Sequence, residues 1–297
     1  MEIFIAGGTG FVGGHLQNIL LEKGHSIRLL THRRIPTAAS GIQSVEGDVL
    51  KPETYAGALK GCDAVINLVG IIRAFPEKGV TFEKLHVQAT AMMIEAAQKA
   101  GLKRYLHMSA LGTRPDAVTR YHKTKFRAEQ SVRESGLDYT IFRPSMIFGP
   151  KDEFVNKLAA FIKNCPAVPV IGDGTYRLQP IAADDVARCY AMSLEMPETI
   201  GKTYELCGPD RLTYNEMLDA IGKIMGKADV PKLKSPAGLA KLAARLMEGF
   251  SFFPLTTDQI TMLLEESICD GKWRETFGFE PTGFAQGISS YLQKNPT

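Results

Sequence analysis

A glycine-rich turn, Gly7-Gly8-Thr9-Gly10-Phe11-Val12-Gly13, lies between an apolar run at residues 3–6 and a helical pattern that ends at Lys23-Gly24. This order predicts a buried strand, a tight turn and an amphipathic helix. Glycines at 8, 10 and 13 fit the motif G-x-G-x-x-G, and those at 7, 10 and 13 fit G-x-x-G-x-x-G. Either spacing lets the backbone approach a pyrophosphate closely, and the negative charge of the pyrophosphate is favoured at a helix N-terminus. The predicted contacts are Gly7, Gly10, Phe11, Val12 and Gly13, and the alternative is an ordinary tight turn.

Short apolar runs alternate with longer helical patterns through the first half of the chain. The predicted strands are Ile27–Thr31, Ser44–Glu46, Ala64–Leu68, Arg104–Met108 and Tyr139–Phe142, and the predicted helices are Pro52–Lys60, Thr81–Ala100 and Arg120–Ser135. This alternation predicts an α/β fold, a doubly wound parallel sheet of the Rossmann type with helices on both faces.

The sequence pattern changes after Arg143-Pro144, where Gly and Pro, beginning with Gly149-Pro150, break the chain into shorter elements. We therefore expect a nucleotide-binding domain at residues 1–150 and a smaller C-terminal substrate lobe at residues 151–297. Within the second range, Thr203–Leu206 is predicted to return to the main sheet as a strand.

The composition argues against several classes of function. The 297 residues are 44% hydrophobic with a formal net charge of +3, and no run of Lys or Arg exceeds two residues. We expect a small-molecule ligand and no nucleic acid. The six histidines form neither H-x-x-x-H nor H-E-x-x-H, so no metal is expected.

Two features bear on location. The first predicted strand begins at residue 2 and no apolar stretch is long enough to span a bilayer, so we expect a soluble, cytoplasmic protein without a signal peptide or transmembrane segment. The five cysteines contain no C-x-x-C pair, which favours buried thiols in a reducing compartment over disulfides or zinc ligands.

The end of the second predicted strand bears on cofactor choice. An acidic residue about 20 positions after the glycines binds the ribose hydroxyl in sites that prefer NAD. This chain has His32-Arg33-Arg34 instead, and a guanidinium can hold a 2′-phosphate. We predict NADP(H) over NAD(H), with Arg33 favoured over Arg34 and His32 assisting; solvated surface arginines are the alternative. Asp48 would reach the adenine edge, or is a plain turn aspartate.

Tyr121 and Lys125 are predicted to carry the chemistry. Their i, i+4 spacing at the start of a helix places both side chains on one face. An ammonium beside the phenol would lower the pKa of Tyr121 toward the range of a useful general acid for a carbonyl. Ser109, at the end of the preceding strand, would hydrogen-bond the same oxygen, and Lys125 would also hold the nicotinamide ribose. The alternative is a chance pairing on an exposed helix.

The chain resembles the short-chain dehydrogenase/reductase superfamily along nearly its whole length. The motifs described above occur in the order typical of that family. So do three further segments: Gly47-Asp48, Asn67-Leu68-Val69-Gly70, and Arg143-Pro144 ahead of Gly149-Pro150. The segments 184–187 and 204–208 are similar to its extended, epimerase-like branch, and the atypical members that resemble the nucleotide-binding accessory subunit of respiratory complex I are closest in character. The resemblance implies a bound nicotinamide nucleotide, with contacts from Val49, Leu68, Val69 and Gly70.

Two departures from the family pattern leave a second hypothesis open. His86 stands where many relatives carry an Asn that organises a proton relay, and the interval from Ser109 to Tyr121 is short for the extended branch. We therefore weigh an oxidoreductase or epimerase-like enzyme against a nucleotide-binding structural or assembly factor.

Candidate substrate contacts are fewer. His86 and Arg177 are the residues predicted to meet substrate, although a loop arginine is more often solvated. The stripe Leu239, Leu242, Leu246 and Phe250 is predicted to cover a core; the alternative is an interfacial helix at acidic lipid, a membrane or a respiratory complex. Phe250, Phe252 and Phe253 would line a pocket for an apolar, quinone-like substrate, or belong to the core. A nucleotide sugar is the other substrate class considered.

Overall fold

The computed structural model describes residues 1–33, 40–247 and 255–293. The predicted contacts Arg34, Phe250, Phe252 and Phe253 lie outside these ranges. The chain divides into two compact units, the first formed by Met1–Pro144 with Val186–Glu205 and the second by Ser145–Asp185 with Leu206–Thr297. Within the described ranges, no helix has the length and apolar character needed to cross a membrane.

The described residues contain thirteen strands, which alternate with helices through the first unit. The strands are, in chain order, β1 (Glu2–Ala6), β2 (Ser26–Thr31), β3 (Ile42–Glu46), β4 (Ala64–Asn67), β5 (Arg104–Met108), β6 (Asp138–Pro144), β7 (Ile147–Phe148), β8 (Val168–Ile171), β9 (Arg177–Leu178), β10 (Ile181–Ala182), β11 (Lys202–Leu206), β12 (Leu212–Thr213) and β13 (Lys232–Ser235). Seven of them form the main sheet in the order β11-β6-β5-β4-β1-β2-β3. The α/β Rossmann-type fold is therefore confirmed, and so is the return of the strand near residue 203 to this sheet.

The parallel register places three loops at one edge of the main sheet. Ala6 at the end of β1 is paired with Asn67 at the end of β4, and Asn67 is paired with His107 in β5. Because β1, β4 and β5 end side by side, the glycine turn, the segment after Asn67 and Ser109 all begin at this edge. Ligands of open α/β sheets bind at such carboxyl ends.

The helices are α1 (Phe11–Glu22), α2 (Ala56–Leu59), α3 (Ala89–Lys99), α4 (Arg120–Arg133), α5 (Phe154–Asn164), α6 (Ala183–Ser193), α7 (Tyr214–Ile224), α8 (Ala237–Met247), α9 (Thr257–Leu264), α10 (Trp273–Phe277) and α11 (Phe284–Leu292). The predicted helix at Pro52–Lys60 is wrong in extent, because a 3-10 turn at Pro52–Thr54 is separated from the short α2 by Tyr55. The helix predicted at Thr81–Ala100 begins instead as a π-helical segment, Glu83–Gln88, that continues into α3.

A disulfide lies in the second unit. Cys207, directly after β11, is bonded to Cys269 across 62 residues of sequence. The prediction of buried free thiols is therefore wrong for this pair and holds for Cys62 and Cys189; Cys165 is a free thiol but is exposed. Separated cysteines give no pairing signal in sequence; the fold brings the Cα atoms of this pair to 6.1 Å.

The face that α8 buries differs from the prediction. Its alanines pack inward: Ala244 is fully buried and forms a small cluster with Ile171 and Ile260, against which Ala237 and Ala240 also pack. Leu239, Leu242 and Leu246 are instead 63%, 55% and 71% exposed. The prediction that this stripe covers a core is therefore wrong for its three leucines, because the small side chains let α8 lie close to its neighbour α9 on the opposite face.

Candidate active site

The glycine turn is built for close approach of backbone to backbone. Gly7 has a φ of 77°, and a Cβ there would lie 2.8 Å from the backbone of Leu68 and Val69. A Cβ at Gly13 would collide with the carbonyl of Gly8. Only glycine fits these two positions, so the turn brings the start of α1 against the ends of β1 and β4.

The N-terminus of α1 carries no side-chain cap. Gly10 is its N-cap residue, the first turn holds no acidic residue, and Phe11 and Val12 open the helix. Backbone N–H groups of a first helical turn lack partners within the helix and favour anions. Gln17, which the sequence did not single out, fixes the turn by donating from Nε2 to the carbonyls of Gly8 at 2.8 Å and Gly13 at 3.1 Å. These residues fit the pyrophosphate of a dinucleotide.

The predicted adenosine contacts lie at the ends of β2 and β3. His32 and Arg33 follow β2 directly, and both are exposed. Their side chains are therefore accessible to a ligand such as a 2′-phosphate. The carboxylate of Asp48 accepts the amide N–H of Leu50 at 2.9 Å, and the Asp48 amide donates to Thr54 Oγ1 at 3.0 Å. Asp48 therefore stabilises a turn, and the neighbouring Val49 packs its side chain into the core.

The segment after β4 is held by a buried amide. Asn67 is fully buried; its Oδ1 accepts the N–H of Val69 at 3.1 Å and its Nδ2 donates to Tyr105 Oη at 3.0 Å. This pair of bonds fixes the backbone of Leu68 and Val69 and leads to Gly70, which is exposed. The family motif pointed to Asn67, but only the structure shows its role as a support.

Lys125 reaches the same edge from α4. Its Nζ donates to the carbonyl of Met108 at 2.9 Å and lies 2.9 Å from the position that a Cβ of Gly70 would occupy. The side chain is only 3% exposed, and burial lowers the pKa of Lys125 to about 8, an effect that the charge of Glu129 partly opposes. The structure therefore brings Lys125, Gly70 and the end of β5 together, as expected from the motifs.

Tyr121 lies one helical turn before Lys125, within an aromatic cluster. Its ring meets Phe82 and His86 edge to face, with centroids 5.9 Å and 5.4 Å away. Burial raises the pKa of Tyr121 to about 12. The predicted lowering of this pKa by Lys125 is wrong, since burial is the cause of the shift and the charge of Lys125 does not offset it.

His86 is a fixed, neutral member of this cluster. It is 1% exposed, its Nδ1 lies 2.9 Å from Thr124 Oγ1, and its Nε2 lies 3.2 Å from the N and 3.1 Å from the O of Ile71. Burial and the charge of Lys125 lower the pKa of His86 to about 2. The imidazole thus connects α4 to the backbone that follows Gly70.

Ser109 belongs to a buried polar network. Its hydroxyl lies 3.3 Å from Thr113 Oγ1 and also hydrogen-bonds the carboxylate of Glu129, which is fully buried. Arg143 donates to both oxygens of Glu129, at 2.8 and 2.7 Å, and Arg133 donates at 2.6 Å. Sequence reasoning missed Glu129; the one available signal was its i+4 spacing from Lys125.

Arg177 lies in the second unit, at the start of β9. Its guanidinium makes a bidentate pair with Glu266, with Nε to Oε1 at 2.6 Å and Nη2 to Oε2 at 2.8 Å. Both side chains are about half exposed. A guanidinium that already donates two hydrogen bonds to a carboxylate has fewer free donors for a substrate anion. This ion pair therefore argues against Arg177 as a substrate contact.

Comparisons with known proteins place this geometry in a family. The model of the "NAD dependent epimerase/dehydratase family" matches residues 3–207, from β1 to Cys207. Among curated proteins, "NADH dehydrogenase [ubiquinone] 1 alpha subcomplex subunit 9, mitochondrial" of Dictyostelium discoideum is 28% identical over 86% of this chain and 73% of its own length. The ceramide reductase of Caulobacter vibrioides is 28% identical over 84% and 78%.

A solved structure supports the fold. UDP-glucose 4-epimerase of Thermotoga maritima superposes with a TM-score of 0.78 at 20% identity, covering 99% of this chain and 98% of the epimerase. The matched family model spans the glycine turn, the Asn67 support and the Tyr121 and Lys125 pair. The chain belongs to the NAD dependent epimerase/dehydratase family.

Proposed function

We propose that this protein is an NADP(H)-dependent oxidoreductase or epimerase-like enzyme that acts on a carbonyl or hydroxyl group of a small molecule. The observation that carries the proposal is the position of Lys125, whose ammonium is buried at the edge of the sheet between Gly70 and the end of β5, one turn from Tyr121. A buried cation one helical turn from a phenol, at the carboxyl ends of parallel strands, suits reaction at a polar carbon–oxygen bond. A nicotinamide, when bound, supplies or accepts the hydride.

Tyr121 would donate the proton. With a pKa raised to about 12, its phenol stays protonated at neutral pH, so this state favours delivery of a proton to a carbonyl oxygen over removal of one from an alcohol. Lys125 would orient the nicotinamide ribose and stabilise the negative charge that Tyr121 acquires as its proton leaves. Ser109 would enter this constellation only if its hydroxyl turned from Glu129 toward the substrate.

Arg33 would set the preference for the phosphorylated cofactor. It is exposed at the end of β2, where the chain has no carboxylate for a ribose hydroxyl. We expect Arg33→Ala to weaken NADPH binding about tenfold or more and to leave NADH binding within about twofold, since one charge-assisted phosphate contact is worth roughly 1.5–3 kcal/mol. Equal losses for the two nucleotides in a fluorescence titration would contradict this assignment.

Two substrate classes follow from similar proteins. Similarity to the ceramide reductase of Caulobacter vibrioides favours an apolar substrate with a polar head for this chain. Similarity to the epimerase of Thermotoga maritima, solved with UDP-glucose, favours a nucleotide sugar. Both would present a carbon–oxygen group to Tyr121, and a quinone is a third candidate of the apolar class.

A nucleotide-binding structural or assembly role is the second candidate. It is supported by the hydrogen bonds of Ser109 to Glu129 and Thr113, which occupy the hydroxyl, and by similarity to proteins named as complex I subunits and as "Photosystem II assembly factor Ycf39". In that role the bound nucleotide would stabilise the fold without turnover.

One experiment distinguishes the two roles. NADPH oxidation is measured against quinones, long-chain ketones and aldehydes, and nucleotide sugars, with Tyr121→Phe as the test variant and Tyr139→Phe, in β6, as the control. If the protein is an enzyme, we expect turnover that falls at least about a hundredfold in Tyr121→Phe while NADPH binding is retained. Turnover should persist in Tyr139→Phe. Tight NADPH binding without turnover on any compound supports the structural role.

A further inference from the structure

The leucine face of α8 is the feature that the proposed enzyme does not use. At 100° per residue, Leu239, Leu242 and Leu246 fall within an arc of about 60° on the helix. The three alanines that pack inward, Ala237, Ala240 and Ala244, fall within a second arc of about 60°, roughly opposite the first. The helix therefore buries its smallest apolar side chains and exposes its largest ones, 55% to 71% exposed. A helix that only covered a core would do the reverse.

Strand β13 and helix α8 carry basic side chains and no acidic ones. The segment 230–247 contains Lys232, Lys234, Lys241 and Arg245 and no Asp or Glu. Lys232 pairs with Asp219, whereas Lys234 and Arg245 are exposed. On the helix, Lys241 and Arg245 lie one turn apart and share the flank next to Leu242. Leu233 in β13, directly before α8, adds a further apolar side chain that is 66% exposed.

We propose that α8 is an interfacial helix that binds the surface of an anionic lipid bilayer. The exposed leucines would enter the boundary between headgroups and acyl chains, while Lys241, Arg245 and Lys234 would meet the lipid phosphates. An outward apolar face with basic residues and no acidic ones at its flank is the charge pattern of an interfacial membrane helix. A second copy of this chain would bring the same positive charges together, which disfavours self-association through this face.

The test is co-sedimentation of the full chain with vesicles. Vesicles of phosphatidylcholine alone are compared with vesicles that contain 30% phosphatidylglycerol, at low and at 0.5 M salt. We expect the full chain to bind the anionic vesicles and to lose binding at high salt. Each basic residue near an anionic surface contributes roughly fivefold in affinity, so Lys241→Gln with Arg245→Gln should weaken binding about 25-fold.

A second variant tests the apolar contribution. Leu239→Gln, Leu242→Gln and Leu246→Gln combined should weaken binding at least about tenfold, because the leucines no longer enter the bilayer. Ile200→Gln, a change of an exposed apolar residue in the first unit, and Lys60→Gln with Lys227→Gln are the matched controls and should bind as the unmodified chain does. Lys241 is half-buried and the other side chains are exposed, and none of them lies in the proposed nucleotide site, so NADPH binding and the circular dichroism spectrum should be unchanged.

The proposal is overturned by either of two results. The first is that the unmodified chain fails to sediment with anionic vesicles, or that the leucine variant sediments equally well. The second is that sedimentation velocity shows a dimer that the leucine substitutions dissociate, while vesicles bind no protein. In that case the leucine face is an interface between copies of the chain. Neither readout depends on turnover.

Discussion

Replacement of Glu129 by Gln tests the buried network that supports the active site. Glu129 is fully buried and accepts three hydrogen bonds from arginines, two from Arg143 and one from Arg133. A Gln amide keeps one acceptor oxygen but turns its NH2 group toward a guanidinium, so at least one charge-assisted bond is lost. Arg143, whose side chain is 17% exposed, then keeps only the longer ion pair with Glu205 at 3.4 Å. We expect a loss of about 3 kcal/mol in the free energy of unfolding, since breaking one side of a buried ion pair costs roughly 3–5 kcal/mol.

The stability that Glu129 contributes should depend on pH. Burial alone would raise the pKa of Glu129, but the hydrogen bonds and charge of Arg143, with bonds from Ser109 and Arg133, hold it below its ordinary value. The stability that the carboxylate contributes is therefore fully present above the unfolded pKa of about 4.3 and is lost as the pH falls through the lower folded pKa. The difference between the unmodified chain and Glu129→Gln should be constant near neutral pH and shrink below about pH 4.3.

Urea unfolding at pH 7 and at decreasing pH measures both effects. Glu95→Gln is the matched control: it removes the same charge from an i, i+4 pair with Lys99 on the surface, where the side chains are 61% and 75% exposed, and should cost less than about 0.5 kcal/mol. A double variant, Glu129→Leu with Arg143→Met, should be less destabilised than Glu129→Gln, because it removes the largely buried charge of Arg143 together with that of Glu129. A cost below about 1 kcal/mol for Glu129→Gln would refute the reasoning.

Three further predictions concern the glycine turn, Lys125 and the disulfide. Gly13→Ala should abolish nucleotide binding, as a Cβ there collides with the Gly8 carbonyl, whereas Gly14→Ala in the same helix meets no atom within 4 Å and should stabilise the protein by roughly 0.5–1 kcal/mol; calorimetry that shows equal effects would contradict this. Turnover should fall above about pH 8 as Lys125 loses its proton, and Glu129→Gln should move this limb to lower pH because the charge of Glu129 raises the pKa of Lys125; a pH profile that the variant leaves unchanged would exclude Lys125 as its source. Without reductant the denatured chain should react with a thiol reagent at Cys62, Cys165 and Cys189 alone, and Cys207→Ser with Cys269→Ser should cost about 2–4 kcal/mol; five reactive thiols would show that the bond is not formed.

The features that the sequence alone determined are local ones. The glycine turn, the alternation of strands and helices, and the one-turn spacing of Tyr121 and Lys125 each depend on residues within a few positions of one another. Backbone sterics and the period of a helix or a strand decide such features wherever the segment lies in the fold. The same reasoning overestimated the helix at Pro52–Lys60, where a 3-10 turn and a single helical turn replace one continuous helix.

Contacts between distant segments were decided by the tertiary structure. Ser109 meets Glu129, His86 meets Thr124, and Cys207 is bonded to Cys269, and no periodicity in the sequence relates the members of these pairs. Burial is decided in the same way. It raises the pKa of Tyr121 where the spacing to Lys125 alone predicted a lower one, and packing of alanines against α9 turns the leucines of α8 outward. Hydration and packing depend on the atoms that surround a side chain, and for these residues most of those atoms belong to segments far away in the chain.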